Sequence, residues 1–174
     1  MSDDIPAWVD GVLVPVDKME THRRGLRHPA VSVFVMDGDR TLIQRRALSK
    51  YHTPGLWANA VCTHPHWGEA AVDCAARRLR EELGVTGLTL VPRDRIEYRA
   101  DVGGGLTEHE RVDLFTAKAG PDLATALDPA EVMETRWIAI SALRDEIAEQ
   151  PGAFTPWLRI YLSEHDGQIF GAAA

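Results

Sequence analysis

Residues 68 to 85 read GEAAVDCAARRLREELGV. Val72, Ala75, Ala76, Leu79 and Leu83 recur at the spacing of one apolar helical stripe, which predicts a helix over 68–84. Gly84 is placed as its stop, because glycine accepts the left-handed backbone that ends a helix. Arg78 and Glu82 lie four apart, on neighbouring positions of one face that flanks the stripe. Directly ahead, AVCTHPHWGE (60–69) gathers a thiol, three imidazole or indole rings and a carboxylate. Cys62 and His64 sit two apart there, with Pro65 behind them.

Outward from this helix the chain alternates between extended and helical patterns. AWVDGVLVPV (7–16) predicts two short extended pieces around Asp10-Gly11. DKMETHRRGLRH (17–28) reads as a polar loop or a short helical turn. AVSVFVMDGDRTLIQRRA (30–47) predicts a hairpin: Val31, Val33 and Val35 alternate, Asp37-Gly38 turns, and Thr41 to Arg45 returns. Residues 48–67 read as loop. Three strand-like runs follow, LTLVP, RIEYRAD and RVDLFTAKA, the last two joined through VGGGLTEHE. Residues 128–140 end in a strand, 142–149 form a helix, and 155–165 form another with Thr155 as N-cap and Pro156 at its first position. The expected class is α+β, a mixed sheet flanked by helices.

A chain of 174 residues reads as one domain over 1–174, large enough to bury its own core. Its net charge of −7 excludes a nucleic-acid surface, which needs a basic stripe. The start, MSDDIPAWVDG, lacks the basic and apolar regions of a signal peptide, and no apolar run approaches a membrane span. Cys62 and Cys74 form no disulfide framework, so the expected compartment is reducing and cytoplasmic. The sequence carries no signal for an oligomeric state.

Several residues could carry chemistry. Glu108 and Glu110 flank His109, and in a strand residues two apart point the same way. They would present two carboxylates on one face, or a solvated polar edge. His22 and His28 are six apart, so only a loop brings them to one point; alone they read as surface histidines. Cys62 could equally be a small buried thiol, and Arg78–Glu82 an ordinary surface ion pair. Convergence favours function. His22, His28, His64, Glu108 and Glu110 make a donor set for one divalent ion, in which imidazole suits Zn, Mn or Fe and the carboxylates pull towards Mn or Mg. Lys18, Arg46, Lys50 and Arg78 supply the cations that a diphosphate needs in an acidic protein.

The stretch 63–85 resembles the Nudix box, GX5EX7REUXEEXGU, through Glu69, Arg77, Leu79, Glu81, Glu82, Gly84 and Val85. Thr63 stands for the first glycine, and Arg78 for a glutamate that Nudix hydrolases use on metal. That departure is similar to the type 1 isopentenyl-diphosphate isomerases. RRALSKYHTPGLWANAVCTHP looks like that family's RRALSK…PG.W.N.VC.HP signature, and IEYRA, EHE and FTPW look like its FRYRA, ENE and FSPW. The likeness covers about residues 7 to 165; the His22–His28 spacing is one residue shorter than that family's.

The resemblance implies the α/β/α Nudix fold and a small-molecule substrate, isopentenyl diphosphate, interconverted with dimethylallyl diphosphate in isoprenoid biosynthesis. It implies Cys62 and Glu110 as an acid–base pair across the alkene, and Tyr98 supporting proton transfer. Trp157, with Trp57 as a further candidate, would face the developing cation. His22, His28, His64, Glu108 and Glu110 would hold Mn²⁺ or Mg²⁺, with Zn²⁺ a third choice. Glu82 would meet a second Mg²⁺ arriving with the diphosphate, which Lys18, Arg46, Lys50 and Arg78 would bind. The alternative is a Nudix hydrolase of a nucleoside diphosphate derivative, which would need the carboxylate that Arg78 replaces and would not need Cys62. A non-catalytic binding module would not need Cys62, Tyr98 and Trp157 together. A cysteine hydrolase would need a nucleophile elbow, and the sequence has nothing like one.

Overall fold

A computed structural model describes residues 4–171; the first three residues of the MSDDIPAWVDG start, and the last three of the 1–174 range, lie outside it. Asp4–Val9 (β1) and Val12–Asp17 (β2) pair as an antiparallel hairpin. Asp10 and Gly11 both take positive φ, 51° and 81°, as a tight hairpin turn requires. The polar stretch after it is more ordered than expected. It forms helix α1, Lys18–Arg24, because the Asp17 side chain caps it by accepting the Glu20 N–H at 2.9 Å.

The central strand is β3, Arg27–Asp37. It turns at Gly38 into β4, Arg40–Arg46, but the two pair only at Met36–Thr41 and Asp37–Arg40 before diverging. β3 then runs antiparallel to Val61–Thr63 (β6) and parallel to Leu106–Lys118 (β8). β4 pairs with Trp57–Asn59 (β5) and Val132–Ala139 (β9). The segment expected as loop over 48–67 therefore contains two strands. Each is only three residues long, too short for alternation to register. The runs LTLVP and RIEYRAD merge into one strand, β7, Leu90–Gly103, antiparallel to β8. Its register shifts between Pro92 and Arg95, where a residue without an N–H interrupts the ladder.

Helices cover both faces of the sheet. Val31, Val33 and Val35 point to one side, into a core with Cys74, Leu79 and Leu83 of helix α2, Ala71–Leu83. Phe34 points to the other, against Trp157, Leu158 and Tyr161 of Pro156–Glu164 (α4) and Leu143 of Ile140–Glu149 (α3). A short helix expected by no pattern, Asp166–Phe170 (α5), adds Ile169 to this second core. Burying each large aliphatic side chain contributes about 1.5–3 kcal/mol. The arrangement is α/β/α around a mixed sheet, as expected.

Helix α2 ends on Gly84 at φ 67°, where any Cβ would meet Ala126 at 2.7 Å. Its buried stripe is turned relative to the expected one. Cys74, Ala75, Leu79, Glu82 and Leu83 face inward, while Val72 and Ala76 are exposed. The carboxylate of Glu82 on the inner face is what the apolar pattern concealed. Among the described residues no helix is long and apolar enough to cross a membrane.

Candidate active site

Strand register assembles the site. Tyr98 stands opposite Glu110, and Ala100 opposite Glu108, across β7 and β8. The parallel pairing of β3 and β8 sets His28 beside Glu110, and β6 sets Cys62 opposite Ser32. Glu108 and Glu110 do share one face, and it is the buried one: they are 2% and 1% exposed. The Tyr98 hydroxyl lies 2.6 Å from Glu108 Oε2 and 2.8 Å from Glu110 Oε2. A phenol has one proton, so it can donate to only one carboxylate at a time. The second contact then needs a proton or a cation shared between the two carboxyl groups.

Three histidines face these carboxylates. His22 comes from the last turn of α1, His28 from the start of β3, and His64 from the residue after β6. His22 Nδ1 donates to the Lys18 carbonyl at 2.6 Å, and His28 Nδ1 to the Leu26 carbonyl at 2.7 Å. A carbonyl only accepts, so each Nε2 keeps a lone pair when the ring is neutral. His28 Nε2 lies 3.2 Å from His64 Nε2, and His64 Nε2 lies 3.0 Å from Glu110 Oε1. His22 Nε2 is buried without a partner. Burial, above all, lowers the His22 pKa to about 4, the Lys18 carbonyl opposing it. His64 is pushed well down by burial and then by the neighbouring histidines. For His28 burial also pulls downward, but the hydrogen bond and charge of Glu110 outweigh it and the pKa rises. Ligand atoms of His22, His28, His64 and Glu110 all lie within 4.8 Å of one another, and an overlapping group joins His22, His52 and Glu108. Converging imidazoles, two of them held neutral, an unpartnered Nε2 and two carboxylates fit a divalent cation.

The four expected cations converge on one pocket with Cys62, Glu82, Glu108, Glu110 and Trp157. Lys18, Lys50 and Arg78 also line an adjoining cavity of about 270 Å³. The Lys18 ammonium lies 4.5 Å from the Tyr51 ring centre, and Lys50 pairs with Glu131. Arg78 binds Glu82 at 2.7 Å, Glu81 at 3.1 Å and Glu131 at 3.3 Å, so its ion pair with Glu82 is part of a half-buried network. The other Glu82 oxygen accepts from Gln44 Nε2 at 2.8 Å. Arg46 sits 5.2 Å from the Trp157 ring centre with its Nε buried and unpartnered.

Cys62 lines the same pocket. Its Sγ is 3.9 Å from the Tyr161 hydroxyl, which bonds Ser32 Oγ at 2.8 Å. Burial, then the charges of Glu110 and Glu108, push the thiol well above its ordinary range, so it holds its proton. Trp157 is 1% exposed at the start of α4. Trp57 does not join it. Its ring packs 4.6 Å from the Arg136 guanidinium and lines a separate cavity with Glu146 and Phe154, because the short strand β5 turns it outward. Reasoning from sequence missed His52, Tyr51 and Tyr161. The first two lie inside the stretch YHTPG between two expected elements; Tyr161 is one helical turn after Trp157 and could have been found by that spacing.

The NUDIX domain model matches residues 26–158. A Cereibacter sphaeroides isopentenyl-diphosphate Delta-isomerase is 65% identical over 98% of this chain and 97% of its own. The Dinoroseobacter shibae protein of that name is 63% identical over 100% of this chain and 99% of its own. Among solved structures, one from Deinococcus radiodurans superposes with a TM-score of 0.73 at 17% identity, covering 91% of this chain and 96% of that one. A Burkholderia pseudomallei MutT NUDIX hydrolase gives 0.62 at 19% identity, covering 80% and 98%. These two likenesses bear on the fold alone. Model match and full-length identity agree: the chain belongs to the NUDIX family and, within it, to the isopentenyl-diphosphate Delta-isomerases.

Proposed function

We propose that the pocket between β6, β8 and α4 interconverts isopentenyl and dimethylallyl diphosphate, with Cys62 and Glu110 moving the protons. The observation that carries this reading is a thiol and a buried carboxylate facing one pocket that Trp157 and four cations also line. One group adds a proton at C4 of the alkene and leaves tertiary cationic character at C3. The other removes a proton from C2, and the double bond moves. Because the reaction is reversible, each group is the acid in one direction and the base in the other. Rate enhancements by enzymes correspond to roughly 8–23 kcal/mol, so proton transfer must be joined by charge stabilisation. The Trp157 face supplies about 0.5–2 kcal/mol towards the cation without attacking it. Tyr98 holds Glu110 in place and takes part in its hydrogen-bond network.

Lys18, Arg46, Lys50 and Arg78 bind the diphosphate, so binding energy comes from a part of the substrate remote from the reacting carbons. A divalent ion held by His22, His28, His64, Glu108 and Glu110 would orient and polarise the Glu110 carboxyl group. Two carboxylates among the donors favour Mn²⁺ or Mg²⁺ over Zn²⁺. Mg²⁺ arriving with the diphosphate would meet Glu82. The two free cysteines fit a cytoplasmic enzyme, and two cores packed on opposite faces of one sheet fit a single domain over residues 1–174.

Proton NMR of isopentenyl diphosphate with the protein and Mg²⁺ in D₂O tests the reading. Dimethylallyl diphosphate should appear with deuterium at the exchanged carbons. Cys62→Ala should lower turnover by at least about 10²-fold, since positioned acid–base groups contribute 10²–10⁴. Full activity in that variant would remove Cys62 from the proton path, and phosphate release from nucleoside diphosphates instead would indicate a hydrolase.

A further inference from the structure

The loop between β4 and β5 carries one buried histidine that the roles above leave unused. His52 is 5% exposed. Its Nε2 lies 3.2 Å from Glu108 Oε1 but is not aligned as a hydrogen bond, and it has no other partner. That nitrogen, a His22 nitrogen and a Glu108 oxygen all lie within 4.8 Å of one another. His52 Nδ1 is 3.0 Å from Thr53 Oγ1. A hydroxyl can accept Nδ1–H there, as backbone carbonyls do for His22 and His28, and Nε2 then keeps its lone pair for a cation.

The ring is tightly held. Tyr51 packs across it at 4.2 Å, and His22 and Trp157 at 5.7 and 5.8 Å. The His52 carbonyl accepts from Arg46 at 3.2 Å. The next residue, Thr53, takes φ 47°, a conformation that a β-branched side chain adopts at a cost of order 1–3 kcal/mol. A strained loop therefore presents a buried, unpartnered nitrogen to two members of the metal cluster. Leaving that nitrogen unmatched would itself be costly, and a cation beside His22 and Glu108 removes the cost.

We propose that His52 is a further ligand of the divalent ion, so that His22, His28, His52, His64, Glu108 and Glu110 enclose it. This rests on the reading that the cluster holds a metal. Six nitrogen and oxygen donors from the chain itself would hold an ion whose part is to orient Glu110. They also suit an ion of octahedral preference, such as Mn²⁺, over one of tetrahedral preference, such as Zn²⁺.

Pulsed EPR of the full chain loaded with Mn²⁺, with ¹⁵N-labelled histidine, counts coordinated imidazoles in the unmodified protein. Four are expected. Three would overturn the proposal and leave the metal site intact, with His52 reduced to a neighbour of Glu108. No bound Mn²⁺ at all would overturn the metal reading and this proposal with it. His52→Gln keeps a polar, uncharged side chain beside Glu108 and removes the imidazole. It should lose one imidazole coupling and bind Mn²⁺ at least about 10-fold more weakly in chelator competition. Unchanged affinity with an unchanged imidazole count would also overturn the assignment.

Discussion

Tyr98 reaches two carboxylates with one hydroxyl, at 2.6 and 2.8 Å, and so couples Glu108 to Glu110. The coupling is between the two carboxylates, while Lys18, Arg46, Lys50 and Arg78 line the pocket. Removing the hydroxyl should thus disturb proton transfer and spare diphosphate capture. Tyr98→Phe should lower kcat about 10–100-fold, the usual scale for a group that orients a ligating carboxylate, with KM nearly unchanged. Steady-state kinetics separates the two. A rise in KM with kcat preserved would place Tyr98 in substrate binding instead. The carboxylate pair was legible in EHE because strand geometry puts alternate residues on one face. Tyr98 was legible only through the family resemblance, since nothing local in IEYRA says which strand it faces.

At the scale of elements, the loop between β6 and α2 carries His64 and is tied to the helix by Glu69. Arg77 donates to both Glu69 oxygens, at 2.7 and 2.9 Å, and the His66 N–H donates at 2.8 Å. The Arg77 hydrogen bonds, chiefly, lower the Glu69 carboxyl from its ordinary 4.5 to about 2. A carboxyl depressed on folding contributes stability that is fully present above its unfolded value and lost as pH falls through the folded one. The window is therefore pH 4.5 down to about 2. Glu69→Gln should be less stable by about 1 kcal/mol near neutral pH, the full shift being discounted for solvent screening. That corresponds to a Tm lower by roughly 2–4 °C for a chain of this size. Thermal unfolding of both proteins across pH should show the gap constant above pH 5 and closing towards pH 2; a gap that persists at pH 2 would mean the effect is packing, not charge. Helix α2 was legible because its periodicity and Gly84 agree. Its inward face was misread because periodicity counts Val72 as core and Glu82 as surface, and only the neighbouring Gln44 and Arg78 make that carboxylate buriable. The strands β5 and β6 were invisible for the opposite reason. Three residues carry no period, and pairing with β3 and β4 alone defines them.

The whole molecule sets a net charge of −7 against a substrate that is itself an anion. It resolves the conflict locally, with four cations lining the pocket beside two buried carboxylates, and four histidines, three of them buried, in and around it. The members of that cluster come from α1, β3, the β4–β5 loop, the residue after β6 and β8. His52 could not be read from the sequence because its partners, His22 and Glu108, are 30 and 56 positions away. Elements so distant in the chain are joined there by side chains that carry lone pairs or negative charge, which favours separation until a cation fills the centre. Metal binding should therefore be linked to folding of the whole chain, not of one loop. An ion that binds the folded state and not the unfolded one, at about 100 times its Kd, adds about 2.7 kcal/mol. For a chain of this size that raises Tm by roughly 5–11 °C. Differential scanning calorimetry of chelator-treated protein, with and without Mn²⁺, should show this shift in a single cooperative transition, reversed by excess chelator. A shift confined to a minor early transition would mean that the ion orders only the loop around His52. No shift at all would mean that the cluster holds its buried charges without a metal.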